Sequence, residues 1–182
     1  GQPRVLHGQA GYSRKSDAPG AASFYYSYTR QPAQGRLHLP GREAPVAVQG
    51  LAWMDHEWGS VGLAPGQVGW DWMSLRLDDG VDWMLFHIRN TQGQAESQRG
   101  SRIGADDRVE AFAEGVVQAR PVRWWRSPHT GIRWPVAWDV RSPEHGLDLR
   151  VEAALDDQEL RTAVIYWEGA VTVQGTHAGR PV

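Results

Sequence analysis

The densest chemistry in the chain lies in Trp53-Met54-Asp55-His56-Glu57-Trp58-Gly59-Ser60, followed by Gly69-Trp70-Asp71-Trp72. Two carboxylates, an imidazole and two indoles fall within the six residues Trp53–Trp58. Charged groups resist burial, whereas tryptophan favours sites where its ring is covered and its N–H finds an acceptor. General acid–base catalysis needs such groups in a partly dry setting that tunes their protonation. In an extended segment Asp55 and Glu57 fall on one side, and His56 and Trp58 on the other. The same residues also suit a strand end whose carboxylates cap loops or pair with arginine, with His56 a structural histidine. The sequence leaves both readings open.

The elements that must position these groups read as strands. Ile132, Trp134, Val136, Trp138 and Val140 alternate with Arg133, Pro135, Ala137 and Asp139, the period of a half-buried strand. Pro135 marks that strand as an edge or as bulged. Leu147–Ala154 alternates likewise, and further strands are expected at Ser23–Thr29, Pro45–Leu51, Val109–Phe112, Val116–Trp125 and Ala163–Val173, the last with a bulge at Gly169. Glu152–Leu160 is the one short helix candidate. Many short strands separated by Pro-Gly, Asp-Gly and His-Gly pairs imply an antiparallel barrel or sandwich. Pro and Gly cluster in Gln31–Pro45, which reads as a boundary.

The clearest hairpin spans Gly69–Asn90. A two-residue turn centred on Asp79-Gly80 would face Leu75 to Met84 and Met73 to Phe86 on an apolar side. Arg76 would then face Trp83, Trp72 would face His87 and Trp70 would face Arg89 on an aromatic, polar side. Asp71 would sit beside Met73 and Ile88, partly desolvated, which favours a protonated carboxyl and suits a proton donor. An Asp at a strand mouth, wet or bound to Arg, is the alternative.

Bulk properties narrow the function classes. The chain has 182 residues, enough for one domain or one domain with part of another. Net charge is −2 with a single lysine, Lys15, so nothing points to nucleic acid or an anionic membrane as partner. Without cysteine there are no disulfides, thiolate metal sites or cysteine nucleophiles. His56-Glu57 lacks the second histidine of a zinc-protease motif and no His-x-His pair occurs, so no metal or other cofactor is expected. No Gly-x-Ser-x-Gly elbow and no phosphate-cradling glycine loop is present. No apolar run approaches the ~18 residues of a membrane span. Trp outnumbers Phe by 10 to 3, which suits a surface half apolar and half polar. Tyr166-Trp167-Glu168-Gly169 and Trp124-Trp125-Arg126-Ser127-Pro128 are further polar–aromatic clusters that equally suit packing.

The run Ala52–Ser60 with Gly69–Trp72 resembles the AttH / carotenoid 1,2-hydratase (hydroxyneurosporene synthase) family. Gly11-Tyr12-Ser13-Arg14-Lys15, Ser23-Phe24-Tyr25-Tyr26-Ser27, Ser127-Pro128-His129-Thr130-Gly131, Asp157-Gln158-Glu159-Leu160 and Tyr166–Val171 agree with it in order. The resemblance implies an all-β fold of two lipocalin-like antiparallel β-barrels in a chain about twice this length. Residues 1–45 would end the first barrel and connect onward. Residues 46–182 would form the second, with a closing strand beyond Val182. The family's named chemistry is addition of water to a carbon–carbon double bond, which needs a proton donor, aromatic faces for the carbocation and a positioned water. On matching positions, Asp55, His56 and Asp71 are the catalytic candidates. Trp53, Glu57, Trp58, Trp70, Trp72, His87, Tyr166 and Glu168 are the candidates for holding an apolar, isoprenoid or lipid-like ligand. The resemblance equally admits a non-catalytic envelope binding or transport-accessory module, or a secreted hydrolase, and implies a bacterial periplasmic or secreted location.

Overall fold

The structure is a computed structural model and describes residues 3–16, 19–60, 62–112 and 114–182, with residues 96 and 97 described by their backbone. Strands follow one another in antiparallel pairs, and the only helical turn among the described residues is a 3-10 turn at Pro143–His145. The chain divides into two compact units. The first comprises Gly1–Arg76 and Val81–Phe112, the second Leu77–Gly80 and Ala113–Val182.

In the first unit, β1 (Val5–Leu6) and β2 (Tyr12–Arg14) pair with one side of β3 (Ala22–Leu37), and β4 (Val46–Trp58) pairs with the other. The segment Gln31–Pro45, expected as a boundary, is paired strand as far as Leu37, which lies opposite Val46. A bulge places Thr29 and Arg30 of β3 against Trp53 alone, and Arg30 there binds Asp82 through Nε at 2.9 Å and Nη2 at 2.6 Å. The second sheet runs β5 (Gln67–Arg76), β6 (Asp82–Asn90), β7 (Ala95–Ile103), β8 (Val109–Phe112), the last as read from the sequence. Tyr25 of β3 packs with Met84, Phe86 and Ile88 of β6, and Trp53 of β4 closes the cluster. Full burial of a Met, Phe or Ile side chain contributes ~1.5–3 kcal/mol. Gly100 of β7 passes so close to β6 that a Cβ would lie 2.0 Å from the Met84 carbonyl and 2.5 Å from the Phe112 ring.

The β5–β6 register differs by one residue from that expected. The Gly80 N–H donates to Leu77 O at 3.2 Å, and Gly80 takes φ 88°. The loop is therefore the three residues Asp78-Asp79-Gly80, a turn followed by a left-handed glycine. Leu75 lies opposite Trp83, Met73 opposite Leu85, Trp72 opposite Phe86, Asp71 opposite His87 and Trp70 opposite Ile88. A slip of one residue exchanges the faces on which the two strands' side chains meet. Trp70 and Trp72 consequently share a face with Met84, Phe86 and Ile88, while His87 joins Asp71 and Met73 on the other.

The second unit holds the sheet β9 (Gln118–Arg126), β10 (Arg133–Ser142), β11 (Leu147–Ala153), β14 (Val171–His177), β15 (Arg180–Pro181) and the separate hairpin β12 (Glu159–Arg161) with β13 (Ile165–Trp167). Val136, Val140, Leu149 and Val151 form its buried centre. Pro135 sits at a register shift of β10, which is an inner strand and not an edge. Glu152–Leu160 is not helical: β11 ends at Ala153, and Ala154–Gln158 leads into β12. Nor is Ala163–Val173 one strand, since Glu168–Ala170 separates β13 from β14 and Gln158 Oε1 accepts the Ala170 N–H at 2.9 Å. In the same unit His177 Nδ1 lies 2.5 Å from Asp79 Oδ2.

Candidate functional site

Alternation along β4 sends Trp53, Asp55 and Glu57 to one face. On β3, Ser27 lies across from Asp55 and Tyr25 across from Glu57. The Ser27 hydroxyl donates to Asp55 Oδ1 and the Ser23 hydroxyl to Glu57 Oε1. Trp53 Nε1 donates to Asp55 Oδ1 at 2.9 Å. The Tyr25 phenol also bonds to Asp55, and its oxygen accepts from Trp72 Nε1 at 3.0 Å. Burial, followed by the Asp55 charge, pushes the Tyr25 phenol well above its ordinary range, so it stays protonated.

A cation completes this face. Lys15, just past β2, places Nζ 2.5 Å from Glu57 Oε1 and 3.4 Å from Ser13 Oγ. The same ammonium lies 4.3 Å from the Phe86 ring centre and 5.5 Å from that of Tyr25. Trp53 and Trp72 meet edge to face at 6.3 Å. Behind them, His7 is wholly buried, with Nε2 2.7 Å from Ser27 Oγ and Nδ1 3.0 Å from Ser101 Oγ. Burial first, and the Lys15 charge second, lower the His7 pKa to about 4. The ensemble is a carboxylate acceptor, a cation and a phenol set against indole and phenyl faces, with Asp55 and Glu57 open to solvent. Such a surface can hold an apolar chain, stabilise positive charge on it and exchange protons with water.

The sequence-expected residues do not all converge there. Trp53, Asp55, Glu57 and Trp72 do, and Trp70 shares the face of Trp72, 54% exposed. His56 and Trp58 lie on the opposite face of β4, as alternation requires. There His56 stacks on Tyr26 at 5.2 Å and Trp58 on Phe24 at 5.6 Å, an exposed aromatic row away from Asp55. Asp71 and His87 lie on the face of β5–β6 opposite Trp72. Asp71 Oδ1 accepts from Arg89 Nη1 at 2.5 Å, and its Oδ2 lies 2.5 Å from His87 Nε2. Of the two readings open for Asp71, a desolvated proton donor or an Asp bound to Arg, the structure has the Arg-bound one; the side chain is 13% exposed and lies across from His87, with Ile88 on the other face. Tyr166 and Glu168 belong to the second unit; they are exposed, and the hydrogen bond to Glu168 raises the Tyr166 phenol's pKa. Nearby, Glu159 accepts from Ser127 at 2.7 Å, Thr130 at 2.6 Å and Trp134 at 2.7 Å. Desolvation acts on Glu159 in the raising direction, but these donors outweigh it and lower its pKa.

Sequence reasoning assigned no role to His7, Lys15, Ser23, Tyr25, Ser27 or Ser101. Two signals bore on them. Lys15 is the chain's one lysine, and Ser23, Tyr25 and Ser27 alternate along an expected strand. Among the described residues, no three His, Asp or Glu side chains cluster as metal ligands would, and no helix is long and apolar enough to cross a membrane.

Comparison with known proteins adds the following. A family model described as AttH-like matches residues 1–181. The crystal structure of a candidate AttH from Nitrosomonas europaea superposes with a TM-score of 0.89 at 36% identity, covering 100% of this chain and 55% of that one. Kievitone hydratase from Nectria haematococca superposes with a TM-score of 0.79 at 18% identity, covering 99% of this chain and 55% of that one, a likeness of fold. The chain thus spans about half the length of each. No curated protein matches it.

Proposed function

This chain belongs to the AttH-like family, and from that premise we propose that its first unit binds an apolar, isoprenoid or lipid-like ligand and adds water across a carbon–carbon double bond by acid catalysis. The observation that carries the proposal is the meeting of Asp55, Tyr25 and the Lys15–Glu57 pair with the faces of Trp53, Trp72 and Phe86. In the reaction, the alkene's π pair takes a proton from the Lys15–Glu57 pair, forming a C–H bond and a carbocation on the neighbouring carbon. Indole and phenyl faces lower the energy of that cation. A water lone pair then forms the C–O bond, the surplus proton passes to Asp55, and solvent, open to both Asp55 and Glu57, carries it back to the Lys15–Glu57 pair, so the site ends as it began. Of the three catalytic residues expected from sequence, Asp55 is the one on this face.

A hydrolase mechanism finds no support at this site. Ser27 is the serine nearest a histidine, but it is wholly buried and gives its proton to Asp55, and the far nitrogen of His7 faces Ser101 instead of a carboxylate. A non-catalytic binding module is the second reading, favoured by the way Ser27, Trp53 and Ser23 satisfy Asp55 and Glu57 as fixed wall groups.

The test titrates tryptophan fluorescence with lycopene in detergent micelles and with oleic acid, then follows hydration of lycopene by the mass gain of one water. Binding with turnover that falls at least ~100-fold in Asp55→Asn, in the range of a lost acid–base group, supports the enzyme. Binding without turnover leaves the module. No response to either ligand sinks both. The same reading locates the protein in the bacterial periplasm or outside the cell, and fractionation of cells expressing the full reading frame checks it.

A further inference from the structure

Ser27 has one proton and two strong neighbours. Asp55 is a carboxylate and accepts only, so the Ser27 proton is committed to Asp55 Oδ1. The 2.7 Å contact between Ser27 Oγ and His7 Nε2 then holds only if Nε2 carries a hydrogen and donates. A neutral imidazole with Nε2–H has a bare Nδ1, and at 3.0 Å that nitrogen accepts the Ser101 hydroxyl proton. The whole relay is dry: His7, Ser27 and Ser101 each have 0% exposure. The His7 ring packs against the Tyr25 ring at 4.3 Å, and the His7 backbone N–H donates to Tyr25 O at 3.1 Å.

We infer that His7 is a positioning residue, held as the Nε2–H tautomer, that wires Ser101, Ser27 and Asp55 into a one-way donor chain and leaves Asp55 purely an acceptor toward solvent. The chain starts 94 residues from His7, on β7, and ends on β4, so it joins the two sheets of the first unit through hydrogen bonds of fixed direction. With Trp53 donating to the same oxygen and Tyr25 donating to the same carboxylate, Asp55 has donors on its protein side and no proton of its own to give. Its use in hydration, taking the proton of the attacking water, rests on the function proposed above. The wiring itself does not.

The direction of the chain is set at its Asp55 end, and that is what makes the inference testable. Asparagine at this position can donate through its amide. Ser27 is then free to turn its proton toward Nε2, which drives His7 to the Nδ1–H tautomer donating to Ser101. The experiment is long-range 1H–15N correlation on the 15N-labelled chain at pH 7, where the two neutral tautomers and the imidazolium give distinct nitrogen shift pairs. Expected are an Nε2–H imidazole in the parent and a marked loss of that tautomer, toward Nδ1–H, in Asp55→Asn. Asp55→Glu, which keeps the acceptor, restores Nε2–H. A parent in the Nδ1–H or imidazolium form overturns the inference. So does an Asp55→Asn protein with an unaltered His7, since a histidine that merely fills space would not register the change. The measurement needs no ligand, so a chain without hydratase activity still tests the wiring, and an active chain with the wrong tautomer refutes it.

Discussion

At the scale of single residues, a neutral histidine buried beside two serines carries a cost that depends on pH. His7 titrates near 4 in the folded chain and at 6.5 when unfolded. Between those values the unfolded chain holds a proton that the folded chain does not. The stability His7 permits is therefore whole above pH 6.5 and is lost as pH falls through 4, at ~1.4 kcal/mol per pH unit and about 3 kcal/mol in all. His7→Gln, which cannot protonate, removes that loss. Urea denaturation at pH 7 and pH 4 should show the parent losing about 3 kcal/mol more than the variant, and equal losses would refute the burial argument. This residue also marks a limit of reading from sequence. Asp55 and Glu57 are legible as a same-face pair because alternation is local. His7 is not, because its meaning comes from Ser27 and from Ser101, which lies 94 positions away.

Elements show a similar division. That the chain is antiparallel β throughout follows from period-two patterning and turn pairs, and β8 and β11 fall where the pattern puts them. Which face meets which does not follow, because Asp-Gly fits both a two-residue and a three-residue loop. Hydrogen bonding of Gly80 to Leu77 selects the longer loop, and that one residue moves His87 away from Trp72. Close approach of strands is equally invisible in sequence. At Gly100 the φ angle is ordinary, yet an added methyl would overlap the Met84 carbonyl and the Phe112 ring. Gly100→Ala should cost at least ~2 kcal/mol, in the range of overpacked cores, with the loss read as a lower urea midpoint at unchanged slope. A change under about 0.5 kcal/mol would mean that β6 and β7 separate easily here.

Across the whole molecule, each compact unit has its own buried centre: Tyr25, Met84, Phe86 and Ile88 in one, and Val136, Val140, Leu149 and Val151 in the other. Removing a buried leucine side chain costs ~2–5 kcal/mol, and sites without shared partners respond independently. Leu149→Ala should therefore accelerate amide exchange in β10, β11 and β14 while exchange in β6 keeps its parent rate. Uniform acceleration would show that the two centres open as one cooperative body. One feature of the first unit has use beyond folding. The chain's single side-chain amine, Lys15, stands in the proposed site against Glu57 and the Phe86 ring, so an amine-specific acylating reagent has one internal target and it reports on that place alone. Masking of that amine from acylation turns the protein into its own ligand detector, able to screen a crude lipid extract fraction by fraction before any substrate has been named.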